Sequence, residues 1–186
     1  MQSEYHRALA ILDKSTVLYN ETELSSIIEN LASAISQEFV HDIPLFLTVM
    51  NGGVFFCTSL LTHIKSPFML DYIHATRYNN TTSGQREITW YYKPKVETIK
   101  GKRVYIVDDI LDEGHTLDEI RKFVLSAGAK ECKIVVLIDK NIGKEKPLAA
   151  DFVGLSAPDK YLFGYGLDIF GLYRQLPNIY SYNLPA

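Results

Sequence analysis

Asp108 and Asp109 stand side by side after the apolar run Val104-Tyr105-Ile106-Val107, and Asp112, Glu113, Gly114, His115 and Thr116 follow directly after Ile110-Leu111. Two adjacent carboxylates at a strand end repel each other and cost stability unless a ligand uses them. Hydroxyl donors or a divalent cation suit such a pair. The glycine turn that follows can aim backbone N–H groups at an anion. A diol, a metal and a phosphate together describe a phosphorylated sugar; the plain alternative is an incidental acidic turn.

Such a constellation needs elements that deliver it to one place. Leu24, Ile27, Ile28, Leu31, Ile35 and Phe39 recur at helical spacing and predict an amphipathic helix over about 22–41. Leu45–Met50 reads as a buried strand broken by Asn51-Gly52-Gly53, with a helix over Val54–His63 and a long strand over Phe68–Tyr78. Apolar strands return at Val104–Val107 and Ile134–Ile138. A helix over about 117–127 lies between them, with Thr116 and Glu119 spaced as a capping box. Strands that are apolar throughout and alternate with helices imply a mostly parallel sheet covered on both faces. Ligands of such sheets sit at the carboxyl ends of the strands, where both Asn51-Gly52-Gly53 and the acidic pair fall.

Composition bounds the function. The 186 residues suit one domain, and 47% hydrophobic residues supply an ample core. A net charge of -3 argues against a general nucleic-acid binder, which carries a basic patch. Apolar runs such as Ile134–Ile138 fall far short of the roughly 20 residues that span a bilayer. The start, Met1 to Arg7, lacks the charged-then-apolar order of a secretory signal, and Cys57 and Cys132 have no metal-ligand spacing. Both cysteines read as buried fillers in a reducing compartment, so a cytoplasmic protein without membrane or nucleic-acid partners is expected.

No Gly-x-x-x-x-Gly-Lys-Ser/Thr phosphate loop occurs, and Gly164-Tyr165-Gly166 lacks the third glycine of a dinucleotide fingerprint. Val104–Leu117 instead resembles the phosphoribosyl-pyrophosphate (PRPP) signature of type I phosphoribosyltransferases. The order of further motifs resembles the hypoxanthine-guanine phosphoribosyltransferases. These are Asn51-Gly52-Gly53, Lys140, Asp151-Phe152-Val153-Gly154, Pro158-Asp159-Lys160-Tyr161, Gly164 through Asp168, and Arg174. The likeness runs from about Leu45 to Arg174. It implies an α/β fold whose central, mostly parallel sheet is flanked by helices, with a small hood formed by the N- and C-terminal segments. It also implies one domain over 1–186 with an active-site flap at about 77–86.

The resemblance further implies a reaction: transfer of ribose 5-phosphate from PRPP to N9 of a 6-oxopurine, with Mg²⁺ as cofactor and a homodimer or homotetramer as the assembly. Asp108 and Asp109 would hold the ribose hydroxyls and, with Asp168, reach Mg²⁺. Glu113, Gly114, His115 and Thr116 would cradle the 5′-phosphate, and Asp112 would be the acid–base at purine N7. Lys140 would donate to O6, Tyr161 would stack on the base, and backbone groups near Lys160 and Leu162 would read its edge. Arg174 and the Asn51-Gly52 turn would bind pyrophosphate, the turn through a non-proline cis peptide. Tyr78 would cover PRPP, with Arg77 adding charge. Trp90, Tyr91 and Tyr92 are expected to pack in the fold or a subunit interface. Three positions depart from the family pattern: Glu113 where Thr is common, Asn51 where Lys or Arg is frequent, and Arg77 where many relatives have Ser. A PRPP- or nucleotide-binding regulator, or a xanthine- or adenine-preferring transferase, is the competing reading; Lys140 argues against adenine.

Overall fold

The computed structural model describes residues 4–39, 41–77 and 88–182, so Tyr78 and most of the expected flap lie outside the described residues. Helix α1 (Glu4–Asp13) and strand β1 (Thr16–Tyr19) lead into α2 (Glu21–Ser36). The alternation then runs β2 (Leu45–Met50), α3 (Gly53–Thr62), β3 (Met69–Arg77), β4 (Ile88–Tyr92), the single turn α4 (Val96–Ile99) and β5 (Arg103–Leu111). It closes with α5 (His115–Ser126), β6 (Glu131–Asn141), β7 (Phe152–Pro158), β8 (Tyr161–Phe163) and β9 (Ile179–Tyr182).

Six strands form one sheet in the order β4-β3-β2-β5-β6-β7, parallel except for the antiparallel β3–β4 pair. Alternate residues of the central strands feed two cores. Phe46, Tyr105, Val107, Val135 and Leu137 meet the buried stripe of α2 and α3 on one face. Leu45, Leu47, Val104, Ile106, Ile134 and Val136 meet Leu117, Ile120 and Val124 of α5 on the other. Burial on both faces is why these strands read as unbroken apolar runs. The rings of Phe46 and Tyr105 stack at 5.0 Å, with Phe39 tilted against both, which locks β2 to β5 beneath the site.

The expected hood is a second, antiparallel sheet in the order β1-β9-β8, pairing Thr16 with Ser181 and Tyr161 with Tyr182. It ties the chain's beginning to its end and presents Tyr161 and Leu162 over the main sheet's carboxyl edge.

Several boundaries differ from the sequence expectation. Helix α2 ends at Ser36 rather than near 41, and Phe39 reaches the core from the turn beyond it. Its N-terminus carries a true capping box, Asn20 with Glu23. The expected Thr116–Glu119 box does not form, because Gly114 at φ 83° turns the chain directly into α5 and leaves Thr116 as the helix's second residue. Glu119 instead pairs with Lys122 at 2.8 Å. Strand β5 does not stop at Val107 but continues through both aspartates to Leu111, pairing Asp108 with Val136 and Ile110 with Ile138. Ladder bonds are made by the backbone, so charged side chains do not end the strand.

Cys57 and Cys132 are both buried and unpaired in disulfides. Burial pushes their thiols up to about 11 and about 12 respectively, so they stay protonated and inert. Trp90 packs on Phe123, and Tyr92 stacks on Tyr72 at 4.2 Å. Among the described residues no helix is long and apolar enough to cross a membrane.

Candidate active site

The carboxyl edge of the main sheet, roofed by the hood, encloses a cleft of about 640 Å³. Every residue anticipated for the site lines it except Tyr78, which lies outside the described residues. Asn51 and Gly52 come from the β2–α3 turn, Arg77 from the end of β3, and Asp108 and Asp109 from β5. Asp112, Glu113 and Gly114 form the β5–α5 turn, His115 and Thr116 open α5, Lys140 is the penultimate residue of β6, Tyr161 and Leu162 belong to β8, and Asp168 and Arg174 to the loop that follows.

The acidic pair is the electrostatic centre. Asp109 is buried and its backbone N–H donates to Asp108 Oδ1 at 2.9 Å. Burial and the adjacent Asp109 hold the Asp108 carboxyl well above the usual carboxylate range. Asp109 is raised as well, chiefly by burial, with its bond to Asp108 and the charge of Arg174 working the other way. Ionising both carboxyls here is favoured only where hydrogen-bond donors or a cation offset the charge.

The pair sits under two glycines. The Met50–Asn51 peptide bond is cis. A Cβ at Gly52 would overlap the Asp109 carboxylate, and one at Gly166 would overlap the Gly52 carbonyl. Gly166 also has φ 103°, closed to other L-residues. Two backbones and the Asp109 carboxylate thus meet with no room for a further side chain. Gly166→Ala is expected to cost at least about 2 kcal/mol, whereas Gly101→Ala, with φ 73° and open space, isolates the conformational part alone. Thermal unfolding of the two variants checks this.

The phosphate turn combines geometry and charge. The first intrahelical bond of α5 runs from Asp118 N to Gly114 O at 2.9 Å, so the N–H groups of His115, Thr116 and Leu117 precede it and point into the cleft end of the helix. These N–H groups and the helix dipole favour an anion. Glu113 does not put an uncompensated charge there, since Arg77 Nη1 lies 3.2 Å from its Oε2. Two of the departures from the family pattern are therefore one ion pair.

Asp112 and Lys140 meet across the mouth. Lys140 Nζ is 3.3 Å from Asp112 Oδ2 and 2.9 Å from Asp159 Oδ1. Burial works against the ammonium charge, but its hydrogen bonds to the Asp159 and Asp112 carboxylates and their negative charges outweigh it and raise its pKa above the ordinary lysine value. Asp159 escapes sequence reasoning as a site residue, although the Pro158-Asp159-Lys160-Tyr161 run contains it. His74 and Thr76 also line the cleft without any sequence signal, and Lys160, whose backbone is expected near the base edge, lines it too.

The loop after β8 is wound tightly. Tyr165, Phe170 and Tyr173 hold positive φ of 51°, 55° and 69°. Gly166 N donates to Arg174 O at 2.9 Å, and Tyr165 N to Leu176 O at 2.8 Å. Arg174 donates to Gly166 O at 2.6 Å and to Asp168 Oδ1, while Asp168 Oδ2 accepts from Gly171 N at 2.8 Å. Tyr161 faces Phe170, rings 6.3 Å apart.

Comparison with known proteins agrees with this geometry. The sequence profile of the phosphoribosyl transferase domain matches residues 15–169, and the chain belongs to that family. It is 33% identical over 167 residues to the hypoxanthine-guanine phosphoribosyltransferase of Bacillus subtilis (strain 168), covering 90% of this chain and 92% of the relative. It is 32% identical over 169 residues to the hypoxanthine-guanine-xanthine phosphoribosyltransferase of Tritrichomonas foetus, covering 90% and 91%. The crystal structure of a hypoxanthine-guanine phosphoribosyltransferase from Bacillus anthracis superposes with a TM-score of 0.78 at 30% identity, covering 90% of this chain and 97% of that one.

Proposed function

We propose that the cleft transfers the 5-phosphoribosyl group of PRPP to N9 of hypoxanthine or guanine, giving IMP or GMP and pyrophosphate in purine salvage. The observation that carries the reading is the Asp112–Lys140 pair, 3.3 Å apart beside the acidic strand and the phosphate turn. A 6-oxopurine offers N7 and O6 as neighbours on one edge. The Lys140 ammonium donates to O6, and the Asp112 carboxylate accepts the N7 proton as N9 bonds to C1′ and the C1′–pyrophosphate bond breaks. Adenine would present an exocyclic amine to the same ammonium, donor facing donor.

The remaining residues position and exclude. Asp108 and Asp109 accept from the ribose 2′ and 3′ hydroxyls, which satisfies the repelling pair. The α5 turn binds the 5′-phosphate. Arg174 and the Asn51-Gly52 turn bind pyrophosphate, and Tyr161 covers one face of the base. Charge builds on the leaving group and the sugar as the bond breaks, so aligned groups in a water-poor cleft supply most of the acceleration.

The donor set fits Mg²⁺. Asp108, Asp109 and Asp168 offer hard carboxylate oxygens on opposite walls of the cleft, yet no three His, Cys, Asp or Glu among the described residues form a cage. Mg²⁺ is commonly held by one or two carboxylates plus substrate phosphates rather than by an all-protein cage. When bound it neutralises charge on the departing pyrophosphate. The reading includes a single domain over 1–186 acting in the cytoplasm as a homodimer or homotetramer.

Purified protein mixed with PRPP, Mg²⁺ and each purine tests the assignment. Pyrophosphate release is expected with hypoxanthine and guanine, with adenine at least about 100-fold poorer in kcat/KM. Xanthine is included because the Tritrichomonas relative is named for it. Lys140→Ala should raise purine KM and narrow the gap to adenine. No pyrophosphate release with any base would favour a PRPP- or nucleotide-binding regulator.

A further inference from the structure

We infer that Lys146 is the positioning residue that holds Asp112 and Lys140 at their working separation, an inference that rests on the transferase reading of the cleft. Lys146 lies in the connection after β6, and its ammonium makes three hydrogen bonds: to Leu111 O at 2.7 Å, to Asp139 Oδ1 at 2.6 Å and to Lys140 O at 2.6 Å. A lysine ammonium has three N–H donors in a pyramidal arrangement, and here each meets one acceptor. Its side chain is 13% exposed, so water competes weakly for those bonds.

The location gives the contact its meaning. Leu111 is the last residue of β5 and immediately precedes Asp112; its ladder partner is Asp139, which immediately precedes Lys140. Beyond that register the two parallel strands part: β5 leads into the phosphate turn, while β6 continues through Lys140 and Asn141 paired with β7 alone. No backbone ladder bond between β5 and β6 fixes the two functional side chains past this point. Lys146 supplies the tie by drawing together the carbonyls next to each of them.

The lysine is itself anchored. Pro147 packs under the phosphate turn, its Cδ 3.4 Å from where a Cβ on Gly114 would stand, and Leu148 is buried in the second core. The segment therefore behaves as a rigid bracket, with Lys146 at its inner end. A shift of about 1 Å between acid–base and substrate can cost on the order of 100-fold in rate, so a bracket of this kind bears directly on turnover.

The test measures steady-state parameters for guanine and PRPP, together with thermal unfolding, in wild type, Lys146→Met and Asp139→Ala. Lys146→Met is expected to raise guanine KM and lower kcat about tenfold each, with KM for PRPP changed less than about threefold. Asp139→Ala, which removes one of the three acceptors and leaves the backbone intact, should move guanine KM the same way by a smaller factor. It decides the matter if Lys146→Met fails to fold. Lower thermal stability with an unchanged guanine KM would make Lys146 a merely structural lysine and overturn the inference. So would an equal rise in both KM values, which signals general loosening. An inactive wild type would instead overturn the transferase reading, and this inference with it.

Discussion

Asp112→Asn is expected to lower kcat by about 10²–10⁴ while leaving KM for PRPP within about threefold. Asparagine keeps the shape and one acceptor oxygen but cannot take a proton from N7. Lys140 retains Asp159 at 2.9 Å, so the change leaves the ammonium partnered and the O6 contact intact. The loss should therefore fall on the chemical step. Single-turnover measurement with hypoxanthine separates that step from product release. An unchanged rate there would remove Asp112 as the acid–base.

Asp109→Asn should show opposite signs in stability and activity. The carboxyl is buried beside Asp108 and raised above its ordinary value by that burial. A carboxyl whose folded pKa lies above its unfolded value contributes most below the unfolded value, about 3.9, and that contribution is lost as pH rises through the folded one. The folded state binds more protons than the unfolded state in that window, so stability falls with rising pH. Asparagine has no such slope. The unliganded variant should match wild type near pH 4 and exceed it in Tm at neutral pH, by about 2–4 °C for each kcal/mol regained. Loss of a charge-assisted bond to a ribose hydroxyl should raise KM for PRPP about 10–100-fold. A Tm series over pH together with PRPP kinetics checks both signs. A variant less stable than wild type at pH 7 would contradict this account of the pair.

What the sequence discloses and what it hides follow from physics. Leu45–Met50, Val104–Val107 and Ile134–Ile138 announce themselves because a parallel strand buried on both faces is apolar at nearly every position. Most of the cleft is equally legible, since its residues cluster in short motifs at strand ends. The hood is legible only through the family resemblance and not from local pattern: β1, β8 and β9 have only 4, 3 and 4 residues, and their pairing joins Thr16 to Ser181. No local periodicity encodes such a partner. The same holds for Lys146, whose acceptors lie at 111, 139 and 140. The absent Thr116 cap shows the reverse case, a good local pattern overruled by a left-handed glycine two residues earlier. Glu113, an apparent liability in a phosphate turn, becomes intelligible only when Arg77 arrives from another strand.

The wound loop from Gly164 to Arg174 has a thermodynamic consequence for recognition. Three of its residues other than glycine occupy left-handed backbone, at a cost on the order of 1–3 kcal/mol each that the surrounding bonds must outweigh. That penalty is settled once, as the polypeptide folds, and is not levied again at each encounter with a nucleotide. On the proposed reading Arg174 would accordingly meet an incoming pyrophosphate, and Asp168 its Mg²⁺, already in place, and little of the binding free energy would be diverted into ordering them.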